Sequence, residues 1–184
     1  DVLPAGDAEQ LAGAYMAACS DNNATFLALR EAFPENEAYR PEHCIPFSSV
    51  RKWGCISFPG AGTVFAGAPE KLFGQLPANL ERELEKGRRI VALGYWGQGW
   101  EEEDSLPAKI IPLFYVVLED HIRRDAGKTL EFFRKEGVDV KIISGDHVKT
   151  VSTIAKRAGL RGWRNAVDMS ALGGEPDYDG LCLR

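Results

Sequence analysis

No stretch of this chain is apolar for long enough to cross a bilayer. Its longest apolar run, residues 110–118, is interrupted by Pro112, and a spanning helix needs roughly 18 such residues. The 45% of hydrophobic residues spread over 184 positions instead suits a buried core and excludes a disordered chain. The opening Asp1-Val2-Leu3-Pro4 has neither the basic flank nor the apolar stretch of a secretory leader. Cysteine is scarce: Cys19, Cys44, Cys55 and Cys182 form no close pair, so reduced thiols are expected rather than a disulfide framework or a zinc site. The three histidines, His43, His121 and His147, are equally scattered, and no metal site is expected. Positive charge is in deficit, with a net charge of −5, which argues against nucleic acid as a partner. Internal repeats and low-complexity segments are absent too.

The remaining charge is unevenly placed. The first 40 residues carry seven acids against two bases, whereas residues 147–164 carry five bases (Lys149, Lys156, Arg157, Arg161, Arg164) and no acid. A basic stretch of this kind is a solvated helix face, or a surface that attracts phosphate or an acidic neighbour.

Periodicity divides the chain in two. Helices are expected over residues 7–20, capped by Asp7, and over 24–33, with Phe26, Leu29 and Phe33 on one face. Extended runs follow at 44–47, 53–58 and 63–66, with a turn at Pro59-Gly60-Ala61-Gly62, and read as antiparallel strands. A helix over 77–86, stopped by Gly87, leads into a strand over 89–95. Residues 97–108, with Glu101-Glu102-Glu103-Asp104, are the most loop-like and read as a linker. Beyond it the order is strand (110–118), helix (125–136), strand (138–143), helix, which is two βα units and hence a parallel sheet. The expected fold class is therefore α/β: an antiparallel sheet flanked by helices over residues 1–109, then two βα units of a parallel, Rossmann-like sheet over 110–184.

Ser144-Gly145-Asp146 lies where the run 138–143 feeds a helix whose apolar residues fall at Val148, Val151, Ile154, Ala155 and Ala158. At such a junction a hydroxyl, a glycine and the free N–H groups of the helix point off the sheet edge. The dipole and the unpaired donors favour a phosphoryl group there, although the same triplet also serves as a simple helix cap.

Three further stretches accompany it: Ile45-Pro46-Phe47-Ser48, Phe65-Ala66-Gly67-Ala68-Pro69-Glu70 and Leu118-Glu119-Asp120-His121-Ile122-Arg123. In this order and spacing the four segments resemble the cytoplasmic part of P-type cation-transporting ATPases, over roughly residues 20–170. That family has a Pro-Phe-x-Ser segment and a Lys-Gly-Ala-Pro-Glu segment in its nucleotide-binding domain. An Asp-Pro-Pro-Arg-type segment and a Thr-Gly-Asp follow in its haloacid-dehalogenase-like phosphorylation domain. The resemblance implies ATP as ligand, with Mg2+ used by the full pump. Phe47 would stack on adenine, Lys52 would line the same pocket, and Gly67 would let backbone approach the ligand. Arg89 would reach the phosphates, Asp120 and Arg123 would contact nucleotide from the hinge side, and Ser144, Gly145 and Asp146 would hold the phosphoryl group and position the loop. The implied partners are the remaining phosphorylation, actuator and transmembrane domains of the same pump, with this soluble piece on the cytoplasmic side of the membrane.

The chain also departs from the family. Ala66 stands for the lysine before Gly-Ala-Pro, Phe26 for a glutamate that hydrogen-bonds adenine, His147 for asparagine and His121 for proline. The Asp-Lys-Thr-Gly-Thr segment, whose aspartate accepts the phosphoryl group, does not occur, nor does the Gly-Asp-Gly-x-Asn-Asp that holds magnesium. The expectation is a chain that binds ATP and has no catalytic residue of its own. Two other readings stand beside it: a non-catalytic regulatory or interaction domain, and a free-standing dehalogenase-type phosphatase with Asp120 as nucleophile. The phosphatase is disfavoured by Ile122, where a second acid or a threonine is needed.

Overall fold

A computed structural model describes residues 5–119 and 121–169. These residues fall into two compact units: the described residues up to Leu80 together with Ile90–Leu118, and Glu81–Arg89 together with the described residues from Glu119 on.

The first unit is built on a five-stranded antiparallel sheet whose strands lie side by side in chain order. β1 (His43–Ser48), β2 (Trp53–Phe58), β3 (Gly62–Gly67) and β4 (Arg89–Trp96) follow the extended runs in the sequence, and β5 (Ile111–Leu118) completes the sheet. Every residue of β2 and β3 is buried, because both faces of these central strands are covered. On one face α1 (Ala5–Ala18) and α2 (Ala24–Ala32) pack Leu11, Tyr15, Met16, Phe26 and Leu29 over Ile56, Phe58, Val64, Ala66 and Leu93. Asn23 caps α2, its side-chain oxygen accepting from the Phe26 N–H at 3.1 Å. Asp7 sits within the first turn of α1, so that helix starts earlier than its expected cap. On the other face Ile45, Trp53, Cys55, Phe65 and Ala92 pack with Leu72 of α3 (Pro69–Phe73) and with Ile110.

Two expectations are corrected here. Residues 97–108 are irregular, yet they are fastened to the sheet rather than hung between domains. Trp100 and Leu106 pack on the second core. The buried hydroxyls of Ser57 and Thr63, 2.8 Å apart, bond to Trp100 N–H (3.1 Å) and Gln98 C=O (2.7 Å). Buried hydroxyls must find partners, and these find them in the loop backbone. The strand after the loop therefore does not open a parallel sheet. β5 joins the antiparallel one and docks on α2 through Phe33 and Phe114, whose ring centroids are 4.8 Å apart.

α4 (Ala78–Glu85) forms where a helix is expected over 77–86, and the second unit contains α5 (Ala126–Lys135) and α6 (Val148–Ala158). The run 138–143, expected as a strand, is irregular. Its first residue closes α5 instead, the Val138 N–H donating to the Phe133 carbonyl at 2.9 Å beyond Gly137 (φ +73°). A strand needs a neighbour to satisfy its backbone, and among the described residues none lies beside this run. α6 is held to the segment Glu81–Arg89: the Thr150 hydroxyl donates to the Arg88 carbonyl (3.1 Å), and the Thr153 hydroxyl to the Glu85 carbonyl (3.3 Å). Arg88 hydrogen-bonds both Glu83 and Glu119, and Glu119 also meets Arg157 at 3.6 Å.

Candidate nucleotide-binding residues

In the first unit the structure brings Phe47, Lys52 and Gly67 to one end of the β1–β2–β3 ladder. Ile45 pairs with Cys55, but Ser48 pairs with Trp53. β1 therefore carries one extra residue, and Pro46 and Phe47 together oppose Gly54, which is a β-bulge. Pro46, which has no N–H, is tolerated because β1 is an edge strand. The bulge leaves Phe47 41% exposed. The default for a strand phenylalanine is the core, and Phe47 belongs to neither core cluster.

The hairpin after the bulge is tightly tied. The Lys52 N–H donates to the Ser48 carbonyl at 2.6 Å, and the Lys52 carbonyl accepts from the Ala68 N–H at 2.9 Å. Lys52 adopts φ +63° and is the sole non-glycine residue with positive φ among the described residues, a conformation costing about 1–3 kcal/mol. Gly67 crosses close by, and a Cβ there would overlap the Lys52 carbonyl oxygen. Arg51 was not singled out from the sequence. Its guanidinium donates to the Pro46 carbonyl (2.8 Å), lies 3.5 Å from Glu103 and stacks over Trp53 at 5.3 Å, so it clamps the bulge. Gly54 was missed as well, although a lone glycine in a strand run is itself a signal for a bulge or a close approach.

The positions of the missing lysine and glutamate lie elsewhere. Ala66 is 2% exposed and Phe26 5%, both in the core between the sheet and the helices α1 and α2. Ala66 pairs with Gly54 on one side and Leu93 on the other. Their apolar character fits a closed interior. The buried thiols offer no nucleophile: burial pushes Cys55 up to about 12 and Cys19 up to about 11.

In the second unit Arg89 meets Asp146, with guanidinium and carboxylate 3.7 Å apart, joining two candidate residues that are distant in sequence. Ser144 and Gly145 are exposed beside them. The Ser144 hydroxyl accepts from the Asp146 N–H at 3.1 Å. The cap of α6 is the next residue, His147, whose Nδ1 accepts from the Lys149 N–H at 3.2 Å. The triplet therefore stands free of the capping role. Arg123 turns to Asp125 with two hydrogen bonds of 3.2 and 2.9 Å and holds that carboxyl below the usual aspartate range. Asp120 lies outside the described residues. An open depression of about 420 Å³ lined by Glu85, Val148, Lys149, Ser152, Thr153 and Arg164 contains none of the candidate residues.

Among the described residues no helix is long and apolar enough to cross a membrane. No family model matches the chain. It is 38% identical over 159 residues to a probable cation-transporting ATPase, exp7, of Streptococcus pneumoniae, a match covering 86% of this chain and 20% of that protein. It is 35% identical over 164 residues to the calcium-transporting ATPase CtpE of Mycobacterium bovis, again over 86% of this chain and 20% of the relative. With the protein of that name from Mycolicibacterium smegmatis the identity is 33% over 158 residues, covering 84% of this chain. The chain thus spans about a fifth of the length of these relatives. Over most of its own length, the chain is homologous to P-type cation-transporting ATPases, as a segment of such a pump would be.

Proposed function

We propose that this chain is the ATP-binding portion of a cation pump, its antiparallel unit serving as the nucleotide-binding domain and its second unit as part of the phosphorylation domain. In the whole pump, ATP held here is delivered to an acceptor aspartate outside this chain, and the resulting aspartyl phosphate drives ion transport. The partners are then the remaining phosphorylation, actuator and transmembrane domains, and the working place is the cytoplasmic face of the membrane. Mg2+ belongs to the same whole-pump reaction: Asp146 is engaged with Arg89, and a single carboxylate makes a poor cage for that ion.

The observation that carries the nucleotide reading is the display of Phe47. An aromatic ring left 41% exposed on a bulged edge strand, with a conformationally pinned lysine on the adjoining hairpin, suits a stacked base and a neighbouring phosphate. With Ala66 and Phe26 in the core, the base is held by stacking rather than by side-chain hydrogen bonds. Affinity is then weak, about 0.1 to several mM, or about −3.5 to −5.5 kcal/mol. Calorimetric or amide-shift titration with ATP tests this, and Phe47→Ala should weaken binding by about 1–3 kcal/mol while the fold persists.

The burial of Ala66 and Phe26 also favours a second reading, a regulatory domain that no longer binds nucleotide. No saturable response at about 10 mM ATP, well above the expected range, would put that reading first.

A further inference from the structure

We infer that Gly54 and Gly67 divide control of the candidate nucleotide site, Gly54 setting the place of the Phe47 ring and Gly67 that of the Lys52 ammonium. The inference rests on the nucleotide-binding reading above. Neither glycine is needed for its backbone angle, since neither is among the positive-φ residues. What each supplies is the absence of a Cβ at a backbone crossing. A Cβ on Gly54 would lie 2.7 Å from Phe47 N, 2.9 Å from Phe47 Cα and 2.8 Å from the Ile45 carbonyl oxygen. All three are backbone atoms, so no change of rotamer relieves the overlap. β1 must lift from β2 at its bulge, and Phe47 moves with it.

Gly67 meets a different set of atoms. A Cβ there would overlap the Lys52 carbonyl oxygen and lie 2.8 Å from Cα and Cβ of Trp53. That carbonyl is the acceptor that ties Lys52 to Ala68. Pushing it away releases one of the two bonds that hold Lys52 at φ +63°. The two contact sets share no atom, so the two halves of the site are separable. Both glycines are positioning residues: they reach a ligand only through Phe47 or Lys52.

Titrations of the chain with adenosine and, separately, with inorganic tripolyphosphate test the division. Gly54→Ala should weaken adenosine by about fivefold or more and leave tripolyphosphate within about twofold. Gly67→Ala should weaken tripolyphosphate by about threefold and leave adenosine within about twofold. Equal losses of both probes in each variant would mean a merely structural role and overturn the inference. Unchanged adenosine binding by Gly54→Ala, with an unmutated chain that binds, sinks the inference and spares the nucleotide reading. An unmutated chain that responds to ATP but to neither probe overturns the division alone, and one that does not respond to ATP either removes both. Should a variant fail to fold, amide shifts of the unmutated chain decide. Adenosine should move Phe47 and Gly54, and tripolyphosphate should move Lys52, Gly67 and Ala68; one common set of shifted amides for both probes overturns the division.

Discussion

At the scale of single residues, Ala66 shows how a difference from the family changes meaning once its surroundings are known. The sequence alone shows a lysine replaced by alanine and suggests that a cation has been lost from a pocket. The structure places Ala66 in the middle of the sheet, 2% exposed, between Gly54 and Leu93 and under the helices that carry Leu11 and Phe26. Restoring the lysine would bury an ammonium without a counter-charge, which costs more than any gain from attracting phosphate. Ala66→Lys should therefore lower stability by about 3 kcal/mol or more, read from the midpoint of denaturant unfolding. An unchanged midpoint together with tighter ATP binding would show that the position opens onto the ligand. Only the exposure of Phe47 agrees with the sequence reading, which uses its spacing to Lys52 to set it apart from a core phenylalanine. The burial of Ala66 was not legible, since it depends on cross-strand partners and on two helices far away in sequence.

At the scale of elements, local signals located most of the helices and strands, and errors arose where pairing decided the outcome. β2 and β3 carry Trp53, Ile56, Phe58, Thr63, Val64 and Phe65 between turn residues, and they form where expected. Residues 110–118 were read correctly as extended and wrongly as part of a parallel sheet, because the sequence does not say which neighbour a strand takes. Residues 138–143 have an equally strand-like composition and form no strand, for want of a partner. The end of α6 depends on nothing so distant. Gly159 adopts φ +86°, its N–H bonds back to the helix, and the Leu160 N–H reaches the Ala155 carbonyl at 3.0 Å, a left-handed helix stop. A Cβ on Gly159 would meet no atom within 4 Å, so replacement costs conformational strain alone. Gly159→Ala should lower the opening free energy of the α6 amides by about 1 kcal/mol in hydrogen exchange. No change would mean that the last turn of α6 is already frayed.

At the scale of the whole molecule, the two units differ in how complete they are. The first has a sheet covered on both faces. The second leaves Phe132, Val138, Ile142 and Ile143 at least half exposed, Ile143 at 99%, and α5 has no buried residue. Apolar surface of this kind, in a chain that spans about a fifth of its relatives' length, accords with the proposal that this unit is part of a larger domain. The chemistry follows the same division. Phosphoryl transfer needs an acceptor positioned in line with the phosphate and charges to stabilise the transferring group. This chain has an Arg89–Asp146 pair beside Ser144, and its sequence has neither the Asp-Lys-Thr-Gly-Thr acceptor segment nor the magnesium-binding one. Incubated with labelled ATP and Mg2+, the chain should therefore form no acid-stable protein phosphate and release phosphate no faster than buffer. The strongest rival nucleophile is Asp120, which follows β5 by two residues where a dehalogenase-type enzyme would carry one. With isoleucine at 122, however, no second acid is available there to protonate a leaving group. Label recovered on Asp120, or steady hydrolysis of a phosphate ester lost in Asp120→Asn, would make this chain a phosphatase in its own right and end the pump-segment reading.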